Sequence, residues 1–466
     1  MSDMESDQLI KKGKPFFLLG PPIMLLMFAQ ALAGNIMTDL LVSRTCQISL
    51  NINHTFCLIL DTNSSSDEAR ELETKVEPYA SVIMMAKSLL ESIMPAIISL
   101  FVGPWSDRGG RRPLLLAGFA GFTTMFVMLS FICNWNISPW YLLIPSIPGF
   151  GMGGFCTVIL ASICHISDTT VEKDRTMLLA QLQASLIFGL LLGVFIGPFI
   201  FKYCGYTTVF STAAICSLLA LLYTYFFIQE TVKDASKESM RGIFKISSVK
   251  GIFKSCLVKR AGCHRGVIWL AIFTLTVSVM VVEGHATIGF LFARERLAWN
   301  VQQYGYYGGV ELLLSVIGVL SGVTLFSNVL GLPDTLVVGI ALVSNMSGSL
   351  TKAFTEEAWQ FYLSAGIGMF AGVAGPVVRS ILSKSIPPDD VGKVFALTAS
   401  METVSPLVGA PLYTLMYSNY LPPIFPLPVY LVSVGFLGSL VFAILGIEIL
   451  IRKSQNISHT ILLEEE

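Results

Sequence analysis

Residues 92–130 read SIMPAIISLFVGPWSDRGGRRPLLLAGFAGFTTMFVMLS. Two apolar runs flank one polar turn, Gly103-Pro-Trp-Ser-Asp107-Arg108-Gly-Gly110-Arg111-Arg112. About 20 apolar residues carry a helix across roughly 30 Å of hydrocarbon. Only helices and closed barrels satisfy their backbone polar groups in lipid. Neither run alternates with period two, so both are predicted to be helices. The stretch therefore reads as a transmembrane helical hairpin with a charged turn at one membrane face.

Outward from it the pattern repeats. Apolar blocks occupy 16–42, 78–103, 113–134, 139–165, 176–201, 207–229, 266–293, 304–327, 331–350, 357–383, 391–418 and 424–451. The composition agrees: 53% of the residues are hydrophobic and only 13% charged, with a mean hydropathy of +0.70. A soluble domain carries about 25% charged residues. The expected fold is an all-α membrane protein of 12 helices. Long connections at 43–77 and 230–265 divide it into an N-terminal six-helix half, 16–229, and a C-terminal one, 266–451. Segment 230–265 is the basic central loop, and 1–15 and 452–466 are tails. No sequence repeat between the halves is evident, so the division rests on spacing. The N-terminus shows no signal-peptide h-region or cleavage site, so the first block is expected to stay in the mature protein.

Basic residues orient the chain. With the N-terminus inside, inner segments hold 21 Lys and Arg against seven outside. Both termini are thus expected to be cytosolic. Sequons at Asn53 and Asn63 fall in the outer loop 43–77, where glycosylation is possible. Asn136 begins a third in a short outer loop close to the membrane, and those at Asn345 and Asn456 are expected to be chance matches. Cys46 and Cys57 share the large outer loop, where a disulfide survives. Most other cysteines (Cys133, Cys156, Cys164, Cys204, Cys216) read as packing residues. The net charge of −1 argues against nucleic acid. No metal-ligand spacing, phosphate-binding loop or nucleophile–base constellation is present, so neither an enzyme nor a cofactor is expected.

In the turn at 103–112, glycines allow a tight antiparallel connection, and Asp107 can pair with an arginine or face a helix N-terminus. Gly103, Asp107, Arg108, Gly110, Arg111 and Arg112 form a candidate inner-face gate. The turn resembles the signature between helices two and three of the major facilitator superfamily. Gly189, Gly193 and Gly197-Pro198 in span five resemble that superfamily's glycine–proline motif. Small residues at every fourth position also let helices approach closely. Within the superfamily the chain is similar to the proton-coupled folate transporter family, solute carrier family 46. The carrying residues are Trp105-Ser-Asp107 with Gly110-Arg-Arg-Pro113, Arg175-Thr176, Glu230-Thr-Val-Lys233, Val378-Arg379-Ser-Ile-Leu-Ser-Lys384, and Gly392-x-x-Phe395 with Met401-Glu402-Thr403.

The departures also matter. Gln183 stands where the family's folate transporter has a glutamate that supports proton coupling. The family histidine of span seven falls near Val281, with His285 displaced along the helix. Ala298 replaces the cysteine ahead of Trp299, which leaves Cys46 and Cys57 as the outer disulfide the resemblance implies.

Charges inside spans are costly and usually face an aqueous path or a partner. Lys87 and Glu91 lie four apart on one helix face. Arg379 in span ten and Glu402 in span eleven form an opposite-charge pair if those helices face each other. With Gln30, Asn35 and Gln183, these are the substrate-binding or gating candidates. His285, whose ordinary pKa of about 6.5 suits a proton switch, joins Glu283, Asp39 and Glu311 as proton-coupling candidates. Glu5-x-x-x-Leu9-Ile10 fits an acidic dileucine signal for a clathrin adaptor, so residence at the plasma membrane or in lysosomal or endosomal membranes is expected. The functional expectation is a secondary active transporter of a small organic anion or amphiphile, folate-like or muropeptide-like. It would be proton-coupled and work by alternating access. A non-transporting receptor on the same fold is the alternative.

Overall fold

The computed structural model describes residues 16–52, 57, 67–232, 246–257, 265–299, 301–387, 390–419 and 428–465. Every regular element among them is helical. In chain order these are α1 (Phe16–Arg44), α2 (Asp67–Gly109), α3 (Arg111–Ile132), α4 (Ser146–Gly151), α5 (Gly154–Thr169), α6 (Glu172–Phe227) and α7 (Ile246–Leu257). Then follow α8 (Arg265–Leu297), α9 (Val301–Val323), α10 (Asp334–Ala353), α11 (Ala358–Ile367), α12 (Ala374–Lys384), α13 (Val391–Asn419) and α14 (Pro428–Glu465). Helices α1–α6 pack into one bundle and α8–α14 into a second.

Among the described residues, ten segments are long and apolar enough to cross a membrane. One, Asp174–Phe227, has 54 residues, about 80 Å if it ran as one helix. It does not, because Gly205 breaks α6 with φ 74° and ψ −177°, a conformation essentially reserved for glycine. The contacts along α6 show the reversal. Arg175 near its start bonds Ser383, Tyr206 just past the break bonds Asp39 near the far end of α1, and the carbonyl of Tyr225 returns to Arg112 beside the Asp107 turn. The expected boundary between the fifth and sixth blocks falls at this glycine. Helix α13 is not among the ten, because serines, threonines and Glu402 dilute its hydropathy.

Two expected helices are interrupted. The block at 139–165 is a 3-10 turn (Pro139–Leu143) followed by α4 and α5, and the block at 357–383 is α11, a 3-10 turn and α12. Glycines lie at both breaks, Gly151, Gly153 and Gly154 in the first, Gly366, Gly368 and Gly372 in the second.

Packing follows residue size. A Cβ on Gly189 would sit 2.4 Å from the carbonyl oxygen of Met24, and one on Gly193 2.7 Å from that of Phe28. The small stripe of α6 therefore lets α1 approach backbone to backbone. The carboxy-terminal bundle has its own aromatic core around Trp299, Tyr307, Phe361, Tyr413 and Tyr430. The Cys46–Cys57 disulfide forms, and both cysteines pack against Val76 and Ala80 of α2. This disulfide marks one face of the molecule, and the Asp107 turn marks the opposite, basic face. The bundles meet where α13 lies against α2 and α5, and where α6 lies against α9 and α12.

Candidate functional site

A cavity of about 460 Å³ lies between the bundles, within the range of small-molecule sites. One wall is Met27 of α1, Glu91 of α2, Phe150, Cys156 of α5 and Gln183 of α6. Val279 of α8, Arg379 of α12 and Glu402 of α13 face it. Most of the remaining lining is aliphatic or aromatic, so the polar groups stand out against a low-dielectric surround.

Arg379 and Glu402 pair across α12 and α13. One guanidinium nitrogen, Nη2, donates to both carboxylate oxygens at 2.8 and 2.9 Å. Both side chains are about 15% exposed, consistent with a wall position. Gly375, one turn earlier, leaves the room this demands, since a Cβ there would come within 3.1 Å of Arg379 Nη1. On the other wall Glu91 pairs with Lys87 at 2.5 Å, one turn away on α2. Glu91 reaches the cavity; Lys87 is not among the lining residues. Gln30 is half-buried on α1 and also outside the lining. The side chain of Asn35 lies outside the described residues.

Toward the basic face, hydroxyl groups close the seam. Ser99 of α2 bonds Ser400 of α13 at 2.5 Å, Thr176 bonds Ser380 at 2.7 Å, and Ser383 donates to Ser167 at 3.0 Å. Arg175 donates to Ser383 at 2.8 Å. At the rim Asp107 accepts from Arg111 at 2.7 Å and from the backbone N–H of Gly392, near the start of α13, at 3.0 Å. Gly103 fits against Gly392 and Ala396, where any side chain would clash. Arg111, 2% exposed, also binds Ser106 and Asp168. Glu230 accepts the backbone N–H groups of Arg111 and Arg112 at 2.9 and 3.1 Å. This occupies two of the unpaired donors at the start of α3. Gly110, at φ 105°, makes that turn. Arg108 is exposed, and among the described residues its side chain shows no hydrogen bond or ion pair.

The proton-coupling candidates do not gather. His285 is held in the carboxy-terminal aromatic core, with Nε2 2.8 Å from Ser433 Oγ and its ring edge-on to Tyr413 and Tyr430. Glu311 accepts from Lys352 at 2.8 Å and from Tyr307 at 3.1 Å. Asp39 accepts from Tyr206 at 2.5 Å. Glu283 is half-buried, and among the described residues its carboxylate shows no hydrogen bond or ion pair. None of the four lines the cavity.

Several contributors escape a reading of the sequence. Asp168 stabilises Arg111, Lys352 neutralises Glu311, and the Ser99–Ser400 contact joins the bundles. An acid near the inner end of a span, opposite an arginine-rich turn, is the one signal that marks Asp168. Cys204 is exposed rather than packed, because it sits in the α6 reversal next to Gly205; Cys133, Cys156 and Cys164 are buried. Asn136 accepts a hydrogen bond from Arg44, which occupies that sequon's side chain within the fold. Asn53, Asn63, Glu5, Leu9 and Ile10 lie outside the described residues.

Comparison with known proteins agrees with this architecture. The pattern of the Major Facilitator Superfamily matches residues 77–410. A probable peptidoglycan muropeptide transporter of Drosophila melanogaster is 26% identical over 417 residues, covering 87% of this chain and 80% of the relative. The bovine proton-coupled folate transporter is 26% identical over 398 residues, covering 85% and 84%. The human lysosomal proton-coupled steroid conjugate and bile acid symporter is 27% identical over 415 residues, covering 85% and 87%. These relatives belong to solute carrier family 46. Among solved structures, the human organic anion transporter MFSD10 superposes with a TM-score of 0.73 at 15% identity, covering 92% of this chain and 98% of that one. A fucose transporter in its outward conformation superposes with a TM-score of 0.63 at 13% identity, covering 93% and 99%. The chain is a multi-pass membrane protein that belongs to the major facilitator superfamily of transporters.

Proposed function

We propose that this transporter is a proton-coupled symporter of an amphiphilic organic anion. The observation that carries the proposal is the Arg379–Glu402 pair on the wall of a largely apolar cavity between the two bundles. A guanidinium in a low-dielectric wall recognises a carboxylate, sulfate or phosphate, and the apolar remainder accommodates a hydrophobic body. Relatives named as carriers of folate, steroid conjugates, bile acids and muropeptides support the same substrate class. Glu91 and Gln183 are further substrate contacts, and Lys87 sets the charge of Glu91. Gln30 and Asn35 of α1 are gating residues. His285, Glu283, Asp39 and Glu311 would act on coupling from outside the cavity.

The chain crosses the membrane twelve times in two six-helix halves, 16–229 and 266–451. The reversal of α6 at Gly205 and the length of α13, 29 residues, support two crossings beyond the ten apolar segments. Both termini and the linker 230–265 are cytosolic, which the basic-residue bias supports. Asn53 and Asn63 carry glycans, and the Glu5–Ile10 signal directs part of the protein to lysosomal membranes. The halves rock about the cavity, and the serine-lined seam with the Asp107 turn forms the cytosolic gate.

Uptake of labelled organic anions into vesicles, compared at external pH 5.5 and 7.4, tests the reading. Flux of an amphiphilic anion that rises at pH 5.5 is expected. Tight binding without flux would establish a receptor instead, and no binding of any member of the class would sink the proposal.

A further inference from the structure

We infer that Lys87 of α2 and Glu283 of α8 form the gate on the disulfide face: they stand apart in this conformation and pair when the two bundles close there. The inference rests on the rocking of the halves proposed above and not on the nature of the substrate.

The two faces of the molecule differ in this structure. On the basic face the bundles touch, with Ser99 on Ser400 and no room for a Cβ at Gly103 or Gly392. Toward the disulfide face they part. Gly34 of α1, two turns outward of the cavity-lining Met27, is exposed. A Cβ added there, or at Gly308 in the outer part of α9, would meet nothing within 4 Å.

Helix α8 borders that opening. It packs on α13 through Thr276, Met280 and Gly284, on α14 through His285 and on α9 through Gly289. The remaining arc carries Val279, which lines the cavity, and then Val282, Glu283 and Ala286. Val282 is 60% exposed, so this arc looks into the gap. Glu283 is half-buried on it, and among the described residues its carboxylate shows no hydrogen bond or ion pair. A charge inside a span is costly and faces an aqueous path or a partner. Glu283 has the path in this conformation; its partner stands on the opposite wall.

Lys87 is that partner by depth and by charge. It lies four residues before the cavity-lining Glu91 on α2, and Glu283 lies four residues after the cavity-lining Val279 on α8. The two helices run in opposite directions, so both side chains stand one turn, about 6 Å, outward of the cavity. The other cations of the amino-terminal bundle lie elsewhere. Arg108, Arg111, Arg112, Lys173 and Arg175 belong to the basic face. Arg44 is bonded to Asn136 and to the carbonyl of Cys133, and Lys202 sits beside the α6 reversal. Arg70 and Lys75 precede the span that begins at Tyr79.

Closure then exchanges one pair for another. Here Lys87 holds Glu91 at 2.5 Å while Glu283 faces the gap. When the gap shuts, the ammonium turns from Glu91 to Glu283, a move suited to a flexible stem with three rotatable donors. Each state keeps one ion pair, so neither is favoured strongly over the other. Glu91 is left facing the cavity as it opens toward the basic face.

The test reads the gap with Gly34→Cys in the full chain, reconstituted in vesicles. A membrane-impermeant maleimide is applied to the disulfide face and its reaction at residue 34 is followed by mass spectrometry. Asp107→Ala, which releases the basic face, should slow that labelling, and Glu283→Gln added to it should restore the rate about fivefold, the worth of one ion pair. Glu283→Lys in the same background should also keep the gap open, and adding Lys87→Glu should return the protection, which loss of a merely structural contact would not do. A bifunctional maleimide should join Lys87→Cys to Glu283→Cys in the Asp107→Ala background and far less without it. Protection by Asp107→Ala that ignores both Glu283 variants, or no cross-link between the two positions, would overturn the gate while leaving the rocking intact. Labelling at residue 34 that does not respond to Asp107→Ala would overturn the rocking and this inference together.

Discussion

The carboxylate of Asp107 accepts the backbone N–H of Gly392 at 3.0 Å, joining the end of α2 to the start of α13 across 285 residues. The same oxygen holds Arg111, so one side chain orders the turn of the first bundle and docks it on the second. Negative charge near a helix N-terminus is favourable, and Arg111 supplies the counter-charge at 2.7 Å. A hydrogen bond to a charged group contributes about 1.5–3 kcal/mol, roughly a tenfold to hundredfold bias toward the state closed at the basic face. Asp107→Ala should release that bias. The linker helix α7 reports on it: it packs against both α2 and α13, with Cys256 fully buried and Ser255 donating to Asp390 at 3.0 Å. Alkylation of Cys256, followed residue by residue by mass spectrometry, should accelerate about tenfold or more in Asp107→Ala. An unchanged rate would show that the turn does not hold the seam.

Arg379→Ala should abolish uptake and also lower stability. Removing one member of a buried pair leaves the other charge uncompensated, at a cost of about 3–5 kcal/mol. The double variant Arg379→Ala with Glu402→Ala should recover much of the thermal stability but none of the uptake. A melting curve and a flux assay on the four members of that cycle separate the two roles. Full uptake by Arg379→Ala would remove this residue from the substrate site.

What a sequence reveals here depends on whether a feature is local. The helical hairpin at 92–130 follows from apolar run length, and the Lys87–Glu91 pair follows from helical spacing alone. The Arg379–Glu402 pair is legible because each of two spans carries one charge well inside its ends, and the two are of opposite sign. The partner of Glu311 was not. Lys352 lies 41 residues away near the end of α10, where it reads as a loop anchor, and only the rotation of two helices brings it in. His285 looks like a switch because it is a histidine inside a span, yet its surroundings of Ser433, Tyr413 and Tyr430 come from two other helices. The interruptions inside α4–α5 and α11–α12 carry a shared local signal, Gly149-Phe-Gly151-Met152 and Gly366-Ile-Gly368-Met369. Four residues are too few to announce a repeat until the fold sets the two elements in corresponding positions.

Gly193→Leu should prevent α1 and α6 from packing. A Cβ at this position would lie 2.7 Å from the carbonyl oxygen of Phe28 and 3.0 Å from the backbone nitrogen of Leu32. Backbone atoms cannot rotate away as a side chain can, and overpacking costs about 1–3 kcal/mol or more. The yield of monodisperse protein after detergent extraction should fall sharply. Gly251→Leu, in α7 where nothing lies within 4 Å of the added Cβ, is the matched control and should extract like the wild type.

Ser99→Cys with Ser400→Cys should lock the seam between the bundles. The two hydroxyl oxygens are 2.5 Å apart, one on α2 and one on α13, and both residues are buried. Sulfurs placed there fall within reach of a bond, since a disulfide spans only about 3.5–4.5 Å between Cβ atoms. Oxidation should join the two segments, detected as a fragment shift after cleavage within the 230–265 linker, and should arrest transport. Reduction should restore both. If alternating access requires this seam to part, arrest must track the cross-linked fraction, and each single cysteine variant must transport after the same oxidation. Transport that continues in fully cross-linked protein would mean that the serine layer is not the gate and that the route to the basic face lies elsewhere in the fold.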